Sequence, residues 1–355
     1  MDKKLKIAAY TVALNEEKHA KQWAEQTSGA DYRLVCDTGS TDKTVEILKE
    51  NGVVVHDIRV KPWRFDVARN TAQSLLPGDI DICLVLDMDE TVAPDFFEKV
   101  RENWIDGANK GWCNFDTGYV WLGARLHARH GMYWRYPIHE AFVPSLDTPL
   151  KSVTIPSMMY HKPDSGKSRG QYLNMLIGAS KEFGKDHRTW TYLTREYYYY
   201  KMWDLVISSA KHLLSFSEDW YVERAAACRW ASEASRNLGL NKEAHEWADK
   251  SIEIDPCAES YFEKVRCHYS DSNWIEIWET SKKVAACERS NHYLGSSAIW
   301  DWFLDDMRAL ACHYLGDKRK ALKYGKYALE GNPTEIRLKN NMNFYEIGIE
   351  GQLSK

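Results

Sequence analysis

The sequence predicts an α/β domain built on a parallel sheet, followed by an all-α domain of helical hairpins. Three observations carry that expectation. Over residues 1–90, short β-branched and aliphatic runs alternate with polar, helix-like segments. The polar residues Asn15, Glu16, Asp37, Asp87 and Asp89 all follow the C-terminal ends of those runs, the edge of an open α/β sheet where ligands bind. In the last third of the chain, small residues recur at a fixed spacing.

Leu5 to Ala13 reads as the first strand, and Asn15-Glu16-Glu17 opens a polar helix. Tyr32 to Cys36 is the second strand, and Asp37 to Thr44 is a tight turn rich in helix-capping residues. The helix from Thr44 to Asn51 closes on Gly52, and Val53-Val54-Val55 begins a third strand. Trp63 to Leu76 is helical up to Pro77-Gly78, and Ile80 to Leu86 is the fourth strand. This alternation implies right-handed crossovers between parallel strands.

The fourth strand ends in Asp87-Met88-Asp89-Glu90, two carboxylates one residue apart at a strand exit. Hard oxygen ligands placed there suit a divalent cation that keeps positions open for phosphate oxygens. The plainer alternative is an acidic, solubilising loop. Asp37 at the rim of the second strand can accept the ring N3–H of a uracil, or it can serve as a turn residue, a role that Asp42 fits better. Arg69 on the following helix can face a diphosphate or form an ion pair.

Four motifs in order resemble family 2 glycosyltransferases of the GT-A nucleotide-sugar-binding fold. They are Thr11-Val12-Ala13-Leu14-Asn15-Glu16-Glu17, Cys36-Asp37-Thr38-Gly39-Ser40-Thr41-Asp42-Lys43-Thr44, Trp63-x-Phe65-x-x-Ala68-Arg69-Asn70 and Leu86-Asp87-Met88-Asp89-Glu90. The resemblance implies inverting transfer of a sugar from a nucleotide-sugar donor, expected to be UDP-glucose or a close relative, with Mn²⁺ or Mg²⁺. It implies donor contacts at Thr11, Ala13, Asn15, Glu16, Asp37, Arg69 and Asp87. Asp87 would lie near ribose and metal, and Asp89 on the metal.

Trp112 to Leu122, Met132 to Val143 and Val153 to Tyr160 read as further, mixed strands. Tyr160-His161 ends the last of them and enters a turn over Lys162 to Gly166. In similar glycosyltransferases a His at such a point completes the metal site, so the expected ligands are Asp87, Asp89 and His161. An acid beyond the metal motif acts as base in the same family, which points to Glu140 in Pro137-Ile138-His139-Glu140, with Asp116 as the alternative. A core or capping histidine and a salt-bridged strand end are the structural alternatives for His161 and Glu140. His127 and His130, beside Arg125 and Arg129, read as a basic surface loop able to touch phosphates or acceptor.

The expected domains are 1–184, the GT-A domain, and 185–355, helical repeats. In the second, Gly239, Ala244, Ser251 and Pro256 recur as Gly316, Ala321, Ala328 and Pro333. Small residues at those intervals let paired helices approach, and proline ends the second helix. The pattern resembles tetratricopeptide repeats. Trp203 to Leu214 and Trp274 to Ala286 are helical but irregular, and Tyr197 to Tyr200 are expected to pack the first helices.

A net charge of −4 argues against general affinity for nucleic acid or anionic membrane. Eight cysteines without a C-x-x-C pair suggest reduced core thiols, and no apolar run approaches a membrane span. A cytoplasmic enzyme is the expectation, with oligomerisation through the helical domain allowed. A sugar nucleotidyltransferase would need a glycine-rich loop where Ala13-Leu14-Asn15-Glu16 stands. The acceptor stays open among protein, glycan and other macromolecules. A hydroxymethylated DNA base is possible but not favoured, and an inert repeat-based binding protein is the alternative outside catalysis.

Overall fold

The computed structural model describes residues 4–117, 120–161, 170–216, 220–290 and 293–353. The chain divides into two compact units, Met1–Ala179 and Ser180–Lys355.

The first unit runs β1 (Ile7–Ala13), α1 (Glu17–Gln26), β2 (Tyr32–Asp37), α2 (Thr44–Glu50), β3 (Val54–Asp57), α3 (Phe65–Ser74) and β4 (Ile82–Val85). It continues with β5 (Glu90–Val92), α4 (Phe96–Asn103), β6 (Lys110–Asp116), β7 (Val120–Ala128), β8 (Met132–Arg135), β9 (Ala141–Pro144), β10 (Ser152–His161) and α5 (Tyr172–Glu182), within which the division between units falls. Eight strands form one sheet in the order β3-β2-β1-β4-β7-β6-β10-β5, and β8-β9 is a separate hairpin. Strands β1 to β4 pair in parallel, whereas β7 pairs antiparallel with both β4 and β6.

Successive residues of β1 face opposite sides of the sheet, as the strand period requires. Ile7 and Ala9 join Trp23 of α1, Leu48 of α2 and Phe96 of α4 on one side. Ala8 and Tyr10 join Ala68 and Ala72 of α3 and Trp134 and Phe142 of the hairpin on the other. Both faces are therefore covered, and the strands read as continuous apolar runs.

Two expectations need correction. The single strand expected from Trp112 to Leu122 is two antiparallel strands, β6 and β7, whose alternating side chains gave no sign of the reversal. The strand expected from Met132 to Val143 is likewise the β8-β9 hairpin, because Tyr136 and His139 take positive φ and turn the chain. The turn expected over Lys162 to Gly166 lies outside the described residues.

The second unit consists of helices α6 (His187–Tyr199), α7 (Trp203–Leu214), α8 (Tyr221–Asn237), α9 (Asn241–Ile254), α10 (Ala258–Ser270) and α11 (Trp274–Ala286). A π-helical turn, Ile299–Phe303, then leads into α12 (Leu304–Tyr314), α13 (Lys318–Gly331) and α14 (Ile336–Leu353). Gly239 and Gly316 follow α8 and α12 with φ of +73° and +87°, the left-handed turn that favours glycine. On α9 and α13, Ala244, Ser251, Ala321 and Ala328 are fully buried. Ser232 of α8 donates to the Ala244 carbonyl at 2.9 Å, and Ser251 donates to that of Ala225 at 3.1 Å, so α8 and α9 are in close contact. Tyr197 and Tyr198 pack on the core of α7 and α8, while Tyr199 and Tyr200 are exposed. Cys36, Cys83, Cys113, Cys228, Cys267 and Cys312 are buried free thiols. No described helix is long and apolar enough to cross a membrane.

Candidate active site

Two loops at the C-terminal edge of β1 and β2 are sewn together by side chains. Asn15, at φ +55°, accepts the Thr41 N–H at 2.8 Å and donates its own N–H to Ser40 at 2.8 Å. The Glu16 N–H donates to Thr44 Oγ1 at 2.7 Å, and Asp42 caps Thr44 through its N–H at 3.0 Å. Thr38 donates to the Ala13 carbonyl from both N–H and hydroxyl at 2.9 Å.

Asp37 is buried at the end of β2. Its Oδ2 accepts the N–H groups of Gly39 and Ser40 at 2.9 and 3.0 Å, the former from a residue at φ +119°. Its Oδ1 is buried with no hydrogen-bond partner among the described residues. Such an atom calls for a donor that the protein itself does not supply.

The fourth strand is pinned at its exit, where Trp23 Nε1–H donates to the Leu86 carbonyl at 2.8 Å. The chain then turns tightly: Asp87 N–H donates to Glu90 Oε2 at 2.9 Å, and Glu90 N–H to the Asp87 carbonyl at 3.0 Å. Arg69, only 4% exposed, donates through Nη2 to Asp87 at 2.7 Å and through Nε to Glu140. Arg125 pairs with Glu90, lies 3.9 Å from Asp87, and stacks over Phe115. Thr11 Oγ1 is 3.5 Å from Asp87.

Burial alone would raise the Asp87 pKa, but Arg69 and Arg125 outweigh it and hold this carboxyl well below the usual range. Glu90 goes the other way. Burial, with Asp87 adding to it, pushes its carboxyl up to about 7 against the pull of Arg125. Arg69 is raised, since Asp87 and Glu140 more than offset its burial. Its Nη1 is buried with no partner among the described residues.

Asp89 and His161 meet where β5 pairs with the end of β10, with Nε2 of His161 3.6 Å from Asp89 Oδ2. The Asp89 carboxylate beside it raises the His161 pKa, against burial. That spacing lets both atoms reach one cation, leaving further positions to phosphate oxygens. Asp87, the third expected ligand, is engaged by the two arginines instead, and no group of three or more such side chains is gathered among the described residues. A carboxylate, an imidazole and surplus negative charge nevertheless fit a Mn²⁺ or Mg²⁺ ion that is completed by its substrate.

Glu140 enters the site because the β8-β9 hairpin is clamped to α3. Asn70 holds both the N–H and the carbonyl of Trp134 at 2.8 Å, and Phe65 N–H donates to the Pro137 carbonyl at 2.9 Å. The third sequence motif thus positions Glu140 as well as Asp87. Asp116 ends β6, opposite Val120 and Tyr160.

The basic loop expected around His127 does not exist. His127 is fully buried in β7; its Nδ1 bonds the Ala128 carbonyl, and Tyr10 and Trp134 continue the chain from Nε2. Burial lowers its pKa to about 4. Arg129 donates to the Leu76 carbonyl at the end of α3, and His130 bonds the Gly78 carbonyl. Only Arg125 of this group faces the site, and with Glu90 it was missed as a site residue. The one available signal was an arginine and a glutamate in otherwise apolar strand patterns.

Residues 20–164 match the family model described as Glycosyl transferase family 2. The match falls within the N-terminal unit, a mixed sheet with helices that is similar to a family 2 glycosyltransferase domain, and the second unit is helical. Among solved structures, MamA is 16% identical, with 46% of this chain and 89% of that chain covered and a TM-score of 0.38. YrrB, a TPR protein, is 12% identical, with 48% and 81% covered and a TM-score of 0.37. PilF of Pseudomonas aeruginosa is 16% identical, with 51% and 72% covered and a TM-score of 0.37. No curated protein matched the chain.

Proposed function

We propose that the protein is a metal-dependent inverting glycosyltransferase of the cytoplasm. It moves glucose or a similar hexose from a UDP-sugar to a hydroxyl or like nucleophile on a protein, glycan or other macromolecular acceptor. The observation that supports this reading best is the unsatisfied Oδ1 of buried Asp37 on the same sheet edge as the Asp87–Glu90 turn. A uracil ring N3–H is the matching donor.

In this reading Thr11, Ala13, Asn15 and Glu16 line the donor nucleotide beside Asp37. Arg69 Nη1, buried and without a described partner, is the donor aimed at the ribose or diphosphate. Asp89 and His161 would hold the cation, which would supply positive charge against the departing diphosphate. Asp87, held ionised by Arg69 and Arg125, keeps Arg69 oriented. The acceptor oxygen forms a bond to the anomeric carbon as the bond to the diphosphate breaks, and the diphosphate leaves with the electron pair. Glu140 takes the acceptor proton. General-base help of this kind is worth about 10²–10⁴-fold.

Incubation with labelled UDP-sugars and candidate acceptors from cell extract tests the reading. It expects β-linked product from an α-linked donor. Glu140→Gln should keep UDP affinity while turnover falls at least about 10²-fold. Unchanged turnover moves the base to Asp116, retained α-linkage refutes the displacement, and no turnover of any UDP-sugar refutes the donor class.

A further inference from the structure

The helical unit holds a cavity of about 340 Å³ between α8, α10, α12 and α14, within the size range of small-ligand sites. Arg236, Arg266 and Arg337 line it together with Phe262, Phe303 and Met307. Asp306 is the one acidic side chain on the wall. The lining itself holds three guanidiniums and one carboxylate, and Glu233 and Glu263 balance the other two charges from outside it.

Each guanidinium is anchored by carboxylate. Arg236 donates to Glu263 through Nε and Nη2 at 3.2 and 3.0 Å, and Arg337 holds both oxygens of Asp306 at 3.0 and 2.7 Å. Arg266 uses only Nη1, at 2.7 Å from Glu233 and 3.3 Å from Glu263. Its Nε and Nη2 have no acceptor among the described residues, and the side chain is 39% exposed. Those two groups form the edge of a guanidinium that grips a carboxylate or phosphate with parallel hydrogen bonds. Because Glu233 and Glu263 already fix the group, little side-chain entropy is lost on gripping.

The apolar side has its own geometry. The Phe262 and Phe303 rings lie parallel, 10° apart in plane with centroids at 5.9 Å. Phe303 ends the π-helical turn before α12, a departure from regular helix that often marks functional sites.

We propose that this cavity binds an oxyanion, carboxylate or phosphate, carried on a flat apolar body, with the Arg266 edge on the anion and Phe303 beside the body. The site belongs to the helical unit and is independent of sugar transfer.

The test titrates the full-length protein with phenyl phosphate, phenylacetate and neutral phenylacetamide, followed by ligand-observed NMR. At least one anion should bind with a dissociation constant of about 1 mM or tighter, and the amide at least about 10-fold more weakly. Whether the phosphate or the carboxylate binds more tightly identifies which oxyanion the site takes. Arg266→Lys keeps the charge but loses the fork, and should weaken the anion at least about 5-fold with an unchanged circular dichroism spectrum. Phe303→Leu should weaken acid and amide alike. Equal binding of acid and amide, no binding of either anion, or parent-like binding by both Arg266→Lys and Arg266→Gln would overturn the proposal.

Discussion

Both units set arginine against buried carboxylate, and they balance the charge differently. At the sheet edge Arg69 and Arg125 face Asp87, Glu90 and Glu140, with Asp89 beside His161. Four carboxylates meet two guanidiniums there. In the helical unit Arg236, Arg266 and Arg337 face Glu233, Glu263 and Asp306, three against three. The first arrangement has surplus negative charge, and Glu90 is pushed up to about 7 by burial, with Asp87 adding to it. In the proposed reading a divalent cation would offset that surplus. The second is closed on charge and needs no cation, leaving only the open edge of one arginine. Similar side chains are thus incomplete at a sheet edge, where helix, strand and loop residues meet, and nearly complete between regular helices.

The largest expected effect comes from removing the proposed cation ligand. Asp89→Ala should lower turnover by at least about 10³-fold, since a Lewis acid supplies several kcal/mol in such steps. Its melting temperature should stay near that of the parent, because Asp89 contributes no apolar side chain to the core that Met88 and Val92 beside it join. EDTA should act on the parent in the same way. Full activity in EDTA would erase the contrast between the two arginine clusters.

Next comes stability. Arg69→Ala leaves two carboxylates facing a buried void and should cost the N-terminal unit roughly 3–5 kcal/mol. Arg337 is 44% exposed but its partner Asp306 is 1% exposed, so Arg337→Ala strands one buried carboxylate where Arg69→Ala strands two, and should cost less. Urea denaturation of both variants measures the difference, and equal costs would show that burial does not separate the clusters.

Much of this contrast was legible in the sequence, and the reasons for the gaps are physical. Asn15, Glu16, Asp37, Asp87 and Asp89 could be placed on one edge because strand exits in a parallel sheet share a side, whereas Arg69 on its helix could be read only as facing a diphosphate or forming an ion pair. The small-residue spacing around Ala244 and Ala321 fixed the helical hairpins, whose positions are fully buried. His127 could not be read. Two arginines flank it at a spacing of two, which resembles a solvated strand edge, yet Arg125 is neutralised by Glu90 and Arg129 by helix-end carbonyls. Those partners lie far away in sequence. The same holds for the cavity arginines, whose carboxylates sit on neighbouring helices.

That misread histidine gives a further prediction. Folding holds the His127 pKa down to about 4, whereas the unfolded chain takes up the proton near 6.5. The unfolded state therefore binds more protons in this window, and the N-terminal unit loses stability as pH falls from about 6.5 to about 4. The loss from this group is on the order of 3 kcal/mol, and a His127→Asn variant should lose that part of the slope. An unchanged slope, read from urea midpoints against pH, would place the titration elsewhere.

The smallest effects concern the repeat. Gly239→Ala and Gly316→Ala each put a side chain at positive φ with no neighbour within 4 Å. Each should cost about 1–2 kcal/mol from backbone alone, and by the same amount if the two hairpins are equivalent. A marked inequality would break that equivalence.

Calorimetric titration of UDP tests the central claim most directly, with and without Mn²⁺, on the parent, Asp37→Asn and Asp89→Ala proteins. The account predicts that the parent binds UDP, that chelation weakens it strongly, and that each variant loses at least about 10-fold in affinity. Asp37→Asn should do so with or without metal, and Asp89→Ala only when metal is present. Absence of UDP binding by the parent, or equal binding by all three proteins regardless of Mn²⁺, would contradict it.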